Sequence, residues 1–199
     1  MKSTVKLIIL GLAVSLLLTL WIGSSLADDY ELWVGGKQVT DSNKANILGD
    51  GTAQYDPSTQ TLTLNDPNIT DSYKESLIYA RGINLTIKGS ANLEGDAYVK
   101  LAICLNFDTA DKGGSLTING DITAKVQNKP SCIFASRDIY ISGSTVEAAG
   151  GECGIEAGDS IYITDSTVTA SGNKYGIYAS GIVTSAKSNS SRALRDRRQ

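Results

Sequence analysis

Three features of the sequence predict an all-β chain wound as a right-handed single-stranded parallel β-helix, about five coils of roughly 22 residues with an N-terminal β cap. The first is a repeat. Residues 160–180, SIYITDSTVTASGNKYGIYAS, restate residues 138–158, DIYISGSTVEAAGGECGIEAG. The second is a set of three aliphatic ladders at the same interval. One runs Leu62, Leu85, Leu116, Ile139, Ile161, with Val183 starting a sixth step. Another runs Ile69, Leu93, Ile122, Val146, Val168. The third runs Ile78, Ile103, Ile133, Ile155, Ile177. The third feature is local. Short segments such as LTI and IYI alternate apolar and polar residues, turn residues separate them, and nothing after residue 27 sustains a helical period. An antiparallel sandwich would use strands of similar length, but it needs no matching residue along three ladders. Right-handedness follows from the usual hand of parallel crossovers.

The elements follow in chain order. Residues 1–27 read as a secretory signal peptide. Lys2 and Lys6 precede an apolar run from Leu7 to Ile22, and Ser25-Leu26-Ala27 offers small residues for cleavage after Ala27. That run is short for a membrane span, so no stable span is expected once it is removed, and the mature chain is expected to be secreted or at the cell surface.

Residues 28–61 fall outside the ladders and read as a β cap. In YELWVGGKQVT, Leu32 and Val34 share one face and Trp33 takes the other; LGDGTAQYD supplies a Gly-Asp-Gly turn, with Asp50 as a turn residue. Residues 62–186 form the coils. The third coil arrives late because LNFDTADKGGS, residues 105–115, bulges out as an inserted loop. The sixth step begins at Gly181-Ile182-Val183 and runs out in SAKSNSS, which leaves strand edges open and makes docking of that coil end to another chain an expectation. Residues 187–199 carry four Arg, one Asp and no apolar rhythm, and read as a disordered basic tail.

Charge and cysteine content narrow the partners. Between Asp28 and Ala186 there are 11 Lys/Arg and 20 Asp/Glu, a net charge of −9 that repels phosphate backbones, so no nucleic-acid partner is expected. Cys104, Cys132 and Cys153 form no metal-ligand spacing, and the chain has no His. Buried or semi-buried free thiols are expected, with a disulfide between neighbouring coils as the alternative; the repeat sets Cys132 opposite Gly154. The acidic residues, among them Asp108, Asp111, Asp159 and Asp165, are scattered through turns. No metal site or cofactor is expected from them.

Between the inward aliphatics, side chains must point out. One outward row should hold Thr63, Thr86, Thr117, Tyr140 and Tyr162; another should hold Tyr79, Cys104, Phe134, Glu156 and Tyr178. Exposed aromatics on a flat sheet can stack on sugar rings, which makes Tyr140, Tyr162, Tyr178 and Phe134 the candidate ligand-binding residues, with Tyr140 and Tyr162 foremost as spatial neighbours. The plain alternative is that Tyr and Thr are good strand residues in stacked ladders.

The segment YELWVGGKQVTDSNKANILGDGTAQYDPSTQTLTLNDPNI, beginning at Tyr30, resembles the opening of a group of bacterial cell-surface proteins. There a stretch of the form LWVGG.QVT...N...LGDGT..YD..T.TLTL leads into right-handed β-helix coils. Members are commonly described as carbohydrate-binding-domain-containing proteins. The resemblance spans residues 30 to about 183 and implies an exported or wall-associated module. The arginine-rich tail departs from the pattern, since relatives tend to continue with further coils or domains.

Catalysis is not expected. A polysaccharide lyase needs an Arg or Lys base beside calcium and an acidic sugar, yet Arg81 and Arg137 stand near corners with no acidic cluster stacked beside them. A hydrolase needs carboxylates at controlled separation, and a serine nucleophile lacks its histidine. The reading is a non-catalytic secreted or surface module that binds a polysaccharide, cell-surface glycan or other surface partner through an exposed sheet face. A structural spacer or adhesin stalk, and a fragment of a lyase or hydrolase, are the alternatives.

Overall fold

A computed structural model describes residues 29–106, 113–127, 130–186 and 189–191. Residues 1–27, read from the sequence as a signal peptide, Asp108 and Asp111 of the inserted loop, and residues 192–199 of the basic tail lie outside the described residues. Strands account for all of the named elements. The cap holds β1 (Asp29–Val34), β2 (Lys37–Thr40) and β3 (Ala53–Asp56). The coils follow with β4 (Thr61–Ile69), β5 (Ser76–Arg81), β6 (Leu85–Glu94), β7 (Leu101–Asn106), β8 (Leu116–Lys125) and β9 (Ser131–Ala135). Then come β10 (Ile139–Ser142), β11 (Thr145–Ala149), β12 (Cys153–Ala157), β13 (Ile161–Thr164), β14 (Thr167–Ser171), β15 (Tyr175–Ala179), β16 (Val183–Ala186) and β17 (Asn189–Ser191).

These strands wind as a β-solenoid of about five turns, each averaging ~24 residues. The 22-residue interval holds where it was first seen, between the last coils, while Asn68 and Asn92 are 24 residues apart and Asn84 and Ser115 are 31 apart. The first sheet has the order β15-β12-β9-β7-β5-β1-β2, with every pair from β5 to β15 parallel. In the second sheet β4, β6 and β8 are long strands stacked in parallel. The first half of β8 pairs with β10 and the second half with β11. From there β10-β13-β16 and β11-β14-β17 continue as two separate stacks.

The corner between those halves explains the change. In β6 and β8 it is made by Gly89 and Gly120. Gly89 has φ +86°, and a Cβ on Gly120 would sit 1.8 Å from the Gly89 carbonyl oxygen, so only glycine lets the coils close there. Later coils break the strand and use buried serines. The Ser144 Oγ lies 2.8 Å from the Ser142 carbonyl and 3.0 Å from that of Ile118, and accepts from Gly120 N at 3.0 Å. Ser166 Oγ donates to Thr164 O at 2.7 Å and accepts from Ser144 N at 3.1 Å. Satisfied hydroxyls make this burial tolerable.

Inside, the aliphatic ladders stack. Ile78, Ile103, Ile133, Ile155 and Ile177 stand in register on successive coils, each almost wholly buried. Ile139 pairs with Ile161 and Val146 with Val168 as expected. Two ladder steps differ. Leu62 pairs with Ile87 instead of Leu85, and Ile122 with Ala91 instead of Leu93. Each difference is a slip of two residues, which keeps the same face inward, so alternation alone does not distinguish the registers. A bulge between Asn65 and Asn68 accompanies the first slip. The outward row changes with it: Thr61, not Thr63, stands opposite Thr86, and Thr63 stands opposite Lys88.

The cap uses antiparallel pairing. β1 pairs with both β2 and β5, and β3 with β4, so both sheets are covered at the first coil. The chain reversals lie at Gly35-Gly36 and at residues 57–60, not at the Gly-Asp-Gly segment. That segment is a separate turn in which Asn46 Oδ1 accepts from Gly49 N and Gly51 N, and Asp50 Oδ1 accepts from Thr52 N and Oγ1. At the other end, Thr167–Thr169 pair with Asn189–Ser191, so the coil continues past Ala186 into residues assigned from sequence to the tail.

Candidate functional site: the outward sheet faces

The outward row of the first sheet runs Trp33, Tyr79, Cys104, Phe134, Glu156, Tyr178, each opposite the next. Its two ends differ. At the cap end, the Tyr73 ring stacks on Trp33 with centroids 4.3 Å apart, and Tyr79 meets both rings at 5.7 Å. The Lys74 ammonium lies 4.9 Å from the Tyr79 centroid. Trp33, Tyr79 and Cys104 are thereby buried in a second, external hydrophobic cluster, against which Phe134 and Leu101 pack. This end of the face is closed by the chain's own turn at residues 70–75.

The other end is open. Tyr178 and Tyr175 stack at 5.3 Å beside a hollow of about 280 Å³ that Glu152, Cys153, Glu156 and Lys174 also line. The carboxylates are engaged. Glu156 Oε2 accepts from the buried Ser131 hydroxyl, and Glu152 Oε2 accepts from Lys174 Nζ at 2.9 Å. That bond to Glu152 raises the Lys174 pKa, so the ammonium stays charged throughout the neutral range. Burial pushes the Cys153 thiol up, with the Glu156 charge adding to it, so this cysteine is a neutral wall of the hollow.

Tyr140 and Tyr162 occupy a different face, the outer side of the second sheet's first half. They are directly opposite on β10 and β13, and their rings stack at 5.0 Å with planes 9° apart. Tyr140 is 40% exposed, and its hydroxyl donates to Asp138 Oδ2 at 3.2 Å. Desolvation and the Asp138 carboxylate hold that hydroxyl above its ordinary pKa, so it remains a donor. The four candidate residues are thus split: Phe134 and Tyr178 share the first sheet's face, while Tyr140 and Tyr162 form a separate pair.

All three cysteines are free and buried. Cys132 points into the core beside Ile133, both wholly buried, because the strand start turns two consecutive side chains inward; Leu77-Ile78 and Ala102-Ile103 do the same. Burial drives the Cys132 thiol up to about 12. Tyr98, 82% exposed on the turn before β7, had no counterpart in the ladders and was not among the candidates. Its one sequence signal is an aromatic residue set among turn residues in GDAYVK.

Compared with known proteins, the chain matches no protein-family model, no curated protein and no solved structure.

Proposed function

We propose that the chain is a non-catalytic β-helix module of an exported or cell-surface protein, binding a glycan or another surface partner through the open end of the first sheet's outward face. The supporting observation is the hollow beside Tyr175 and Tyr178, which sets aromatic rings next to two carboxylates and an ammonium. Rings supply C–H contacts to a sugar face, and the charged groups accept from or donate to its hydroxyls. Both carboxylates are tied to partners within the fold, which suits positioning of a ligand better than proton transfer. The resemblance of the segment beginning at Tyr30 to bacterial cell-surface β-helix proteins points the same way. Among the described residues no helix is long and apolar enough to cross a membrane.

A spacer or stalk role has one observation in its favour. Tyr140 and Tyr162 present their inner faces to each other, as a structural ladder does.

A glycan array probed with the exported chain separates these readings. Binding that Tyr178→Ala abolishes supports the module proposed here. No binding to any arrayed glycan overturns it in favour of the spacer, and release of reducing sugar from pectin overturns the non-catalytic assignment.

A further inference from the structure

The corner where each coil turns into the first sheet carries a groove of about 610 Å³. Its lining draws on every coil: Glu75 precedes β5, Tyr98 and Lys100 precede β7, Gln127 precedes β9, Gly151 precedes β12 and Asn173 precedes β15. Neighbouring coils lie about 4.8 Å apart, so four steps make a channel roughly 19 Å long, parallel to the axis.

Three properties define what fits it. The first is an exposed aromatic on a pinned turn. The Tyr98 ring is 82% exposed, but its turn is pinned: Asp96 Oδ1 accepts from Tyr98 N at 2.8 Å, Gly95 N donates to Lys125 O at 2.9 Å, and Lys100 N donates to Glu75 O at 2.8 Å. The adjacent Val99 is buried in the core. With the backbone fixed in this way, a ligand that covers the ring orders only its two side-chain torsions.

The second property is charge. Lys100 Nζ and Glu75 Oε2 form an ion pair at 2.7 Å, and the other described lining residues are neutral. Among the described lining residues nothing selects an acidic or a basic ligand.

The third is the state of the backbone. Glu75 O already accepts from Lys100 N and Leu101 N, Gly151 O accepts from Asn173 N, and Val126 N donates to Ala149 O. A peptide that binds as an added strand needs an open row of such groups. Here recognition falls to the Gln127 and Asn173 side-chain amides, which both donate and accept, and to the face of one tyrosine.

We propose that this corner groove binds an extended, neutral oligosaccharide along the coil axis, with Tyr98 stacked on one sugar ring and Gln127 and Asn173 hydrogen-bonded to hydroxyls farther along. It shares with the function proposed above the premise that the module binds glycans, but it uses a different surface.

The test is calorimetric titration of the exported chain with cellohexaose, xylohexaose and maltohexaose, with a hexagalacturonate and an extended hexapeptide as comparators. At least one neutral hexasaccharide should bind. Tyr98→Ala should weaken that binding about tenfold or more, and Gln127→Ala or Asn173→Ala several-fold each, with Tyr98→Phe close to wild type. Because the Tyr98 ring is exposed, the Tyr98→Ala melting temperature should match wild type, which ties any loss to the ring. Absence of binding by all three neutral hexasaccharides at millimolar concentration overturns the proposal. So does unchanged binding by Tyr98→Ala, stronger binding of the hexagalacturonate, or peptide binding that Tyr98→Ala removes. Loss of binding in Tyr178→Ala but not in Tyr98→Ala would sink the groove and leave the sheet-face reading standing.

Discussion

Tyr140 and Tyr162 face each other across adjacent parallel strands with ring centroids 5.0 Å apart, and Asp138 Oδ2 accepts a hydrogen bond from the Tyr140 hydroxyl at 3.2 Å. A pair of this kind contributes about 0.5–1.5 kcal/mol beyond its buried area. A double-mutant cycle of Tyr140→Ala and Tyr162→Ala in urea unfolding should therefore give a coupling in that range. A coupling of zero would mean the stack adds nothing to the coil. Loss of glycan binding in the double variant would move the binding face to the second sheet.

The first sheet's isoleucine ladder should be the most sensitive part of the core. Ile133 is wholly buried between Ile103 and Ile155, and truncation leaves a void that two coils must share. Ile133→Ala should cost about 2–5 kcal/mol, against less than about 1.5 kcal/mol for Ile133→Val, measured by denaturant midpoint at constant m-value.

Two glycines should respond very differently to alanine. At Gly120 the new Cβ would fall 1.8 Å from the Gly89 carbonyl oxygen, a backbone atom that cannot move without parting the coils. Gly120→Ala should cost about 3 kcal/mol or more, or prevent folding. At Gly51 a Cβ meets nothing within 4 Å, and φ is +80°. Gly51→Ala should cost only about 1 kcal/mol, the conformational penalty of a left-handed residue. Thermal unfolding of the two variants checks the contrast.

Alkali should destabilise the fold in a defined window. Burial raises the Cys132 thiol to about 12, and Cys104 and Cys153 shift in the same direction, chiefly through burial. Below the unfolded thiol pKa, near 8.5, both states hold the proton and stability is unaffected. Above it the unfolded chain releases protons that the folded chain keeps, so stability falls as pH rises towards about 12. Between those two values Cys132 contributes a slope of about 1.4 kcal/mol per pH unit. Urea unfolding at pH 7 and pH 10 should show the fall, and Cys132→Ala should make it shallower. The native Cys132 thiol should also resist Ellman's reagent at pH 8.

The legibility of the sequence followed its periodicity. Ile78 to Ile177 could be read directly, because the strand at that step holds a single isoleucine in every coil. The step from Leu62 was misplaced because Leu85 and Ile87 both satisfy an inward position, and hydrophobicity does not separate them. Cys132 lies opposite Gly154 as the repeat sets it, but its inward direction beside Ile133 depends on a corner where alternation fails. Among outward residues, Phe134 and Tyr178 were placed in their row, yet the closure of that row by Tyr73 over Trp33 and Tyr79 was not visible. Tyr73 belongs to a turn, and turns do not repeat with the coils. The same holds for Tyr98 and its groove.

The antiparallel lid formed by β1, β2 and β3 also has a mechanical meaning. Apart from that lid, each turn of the coil is, among the described residues, hydrogen-bonded only to the turns before and after it. Tension applied from the far end would therefore meet one rung at a time and unzip the molecule towards the lid. Loss of a 22-residue turn would free about 7–8 nm of contour, so a single-molecule trace should show even steps from the last coils and longer ones where the interval widens to 24 and 31 residues.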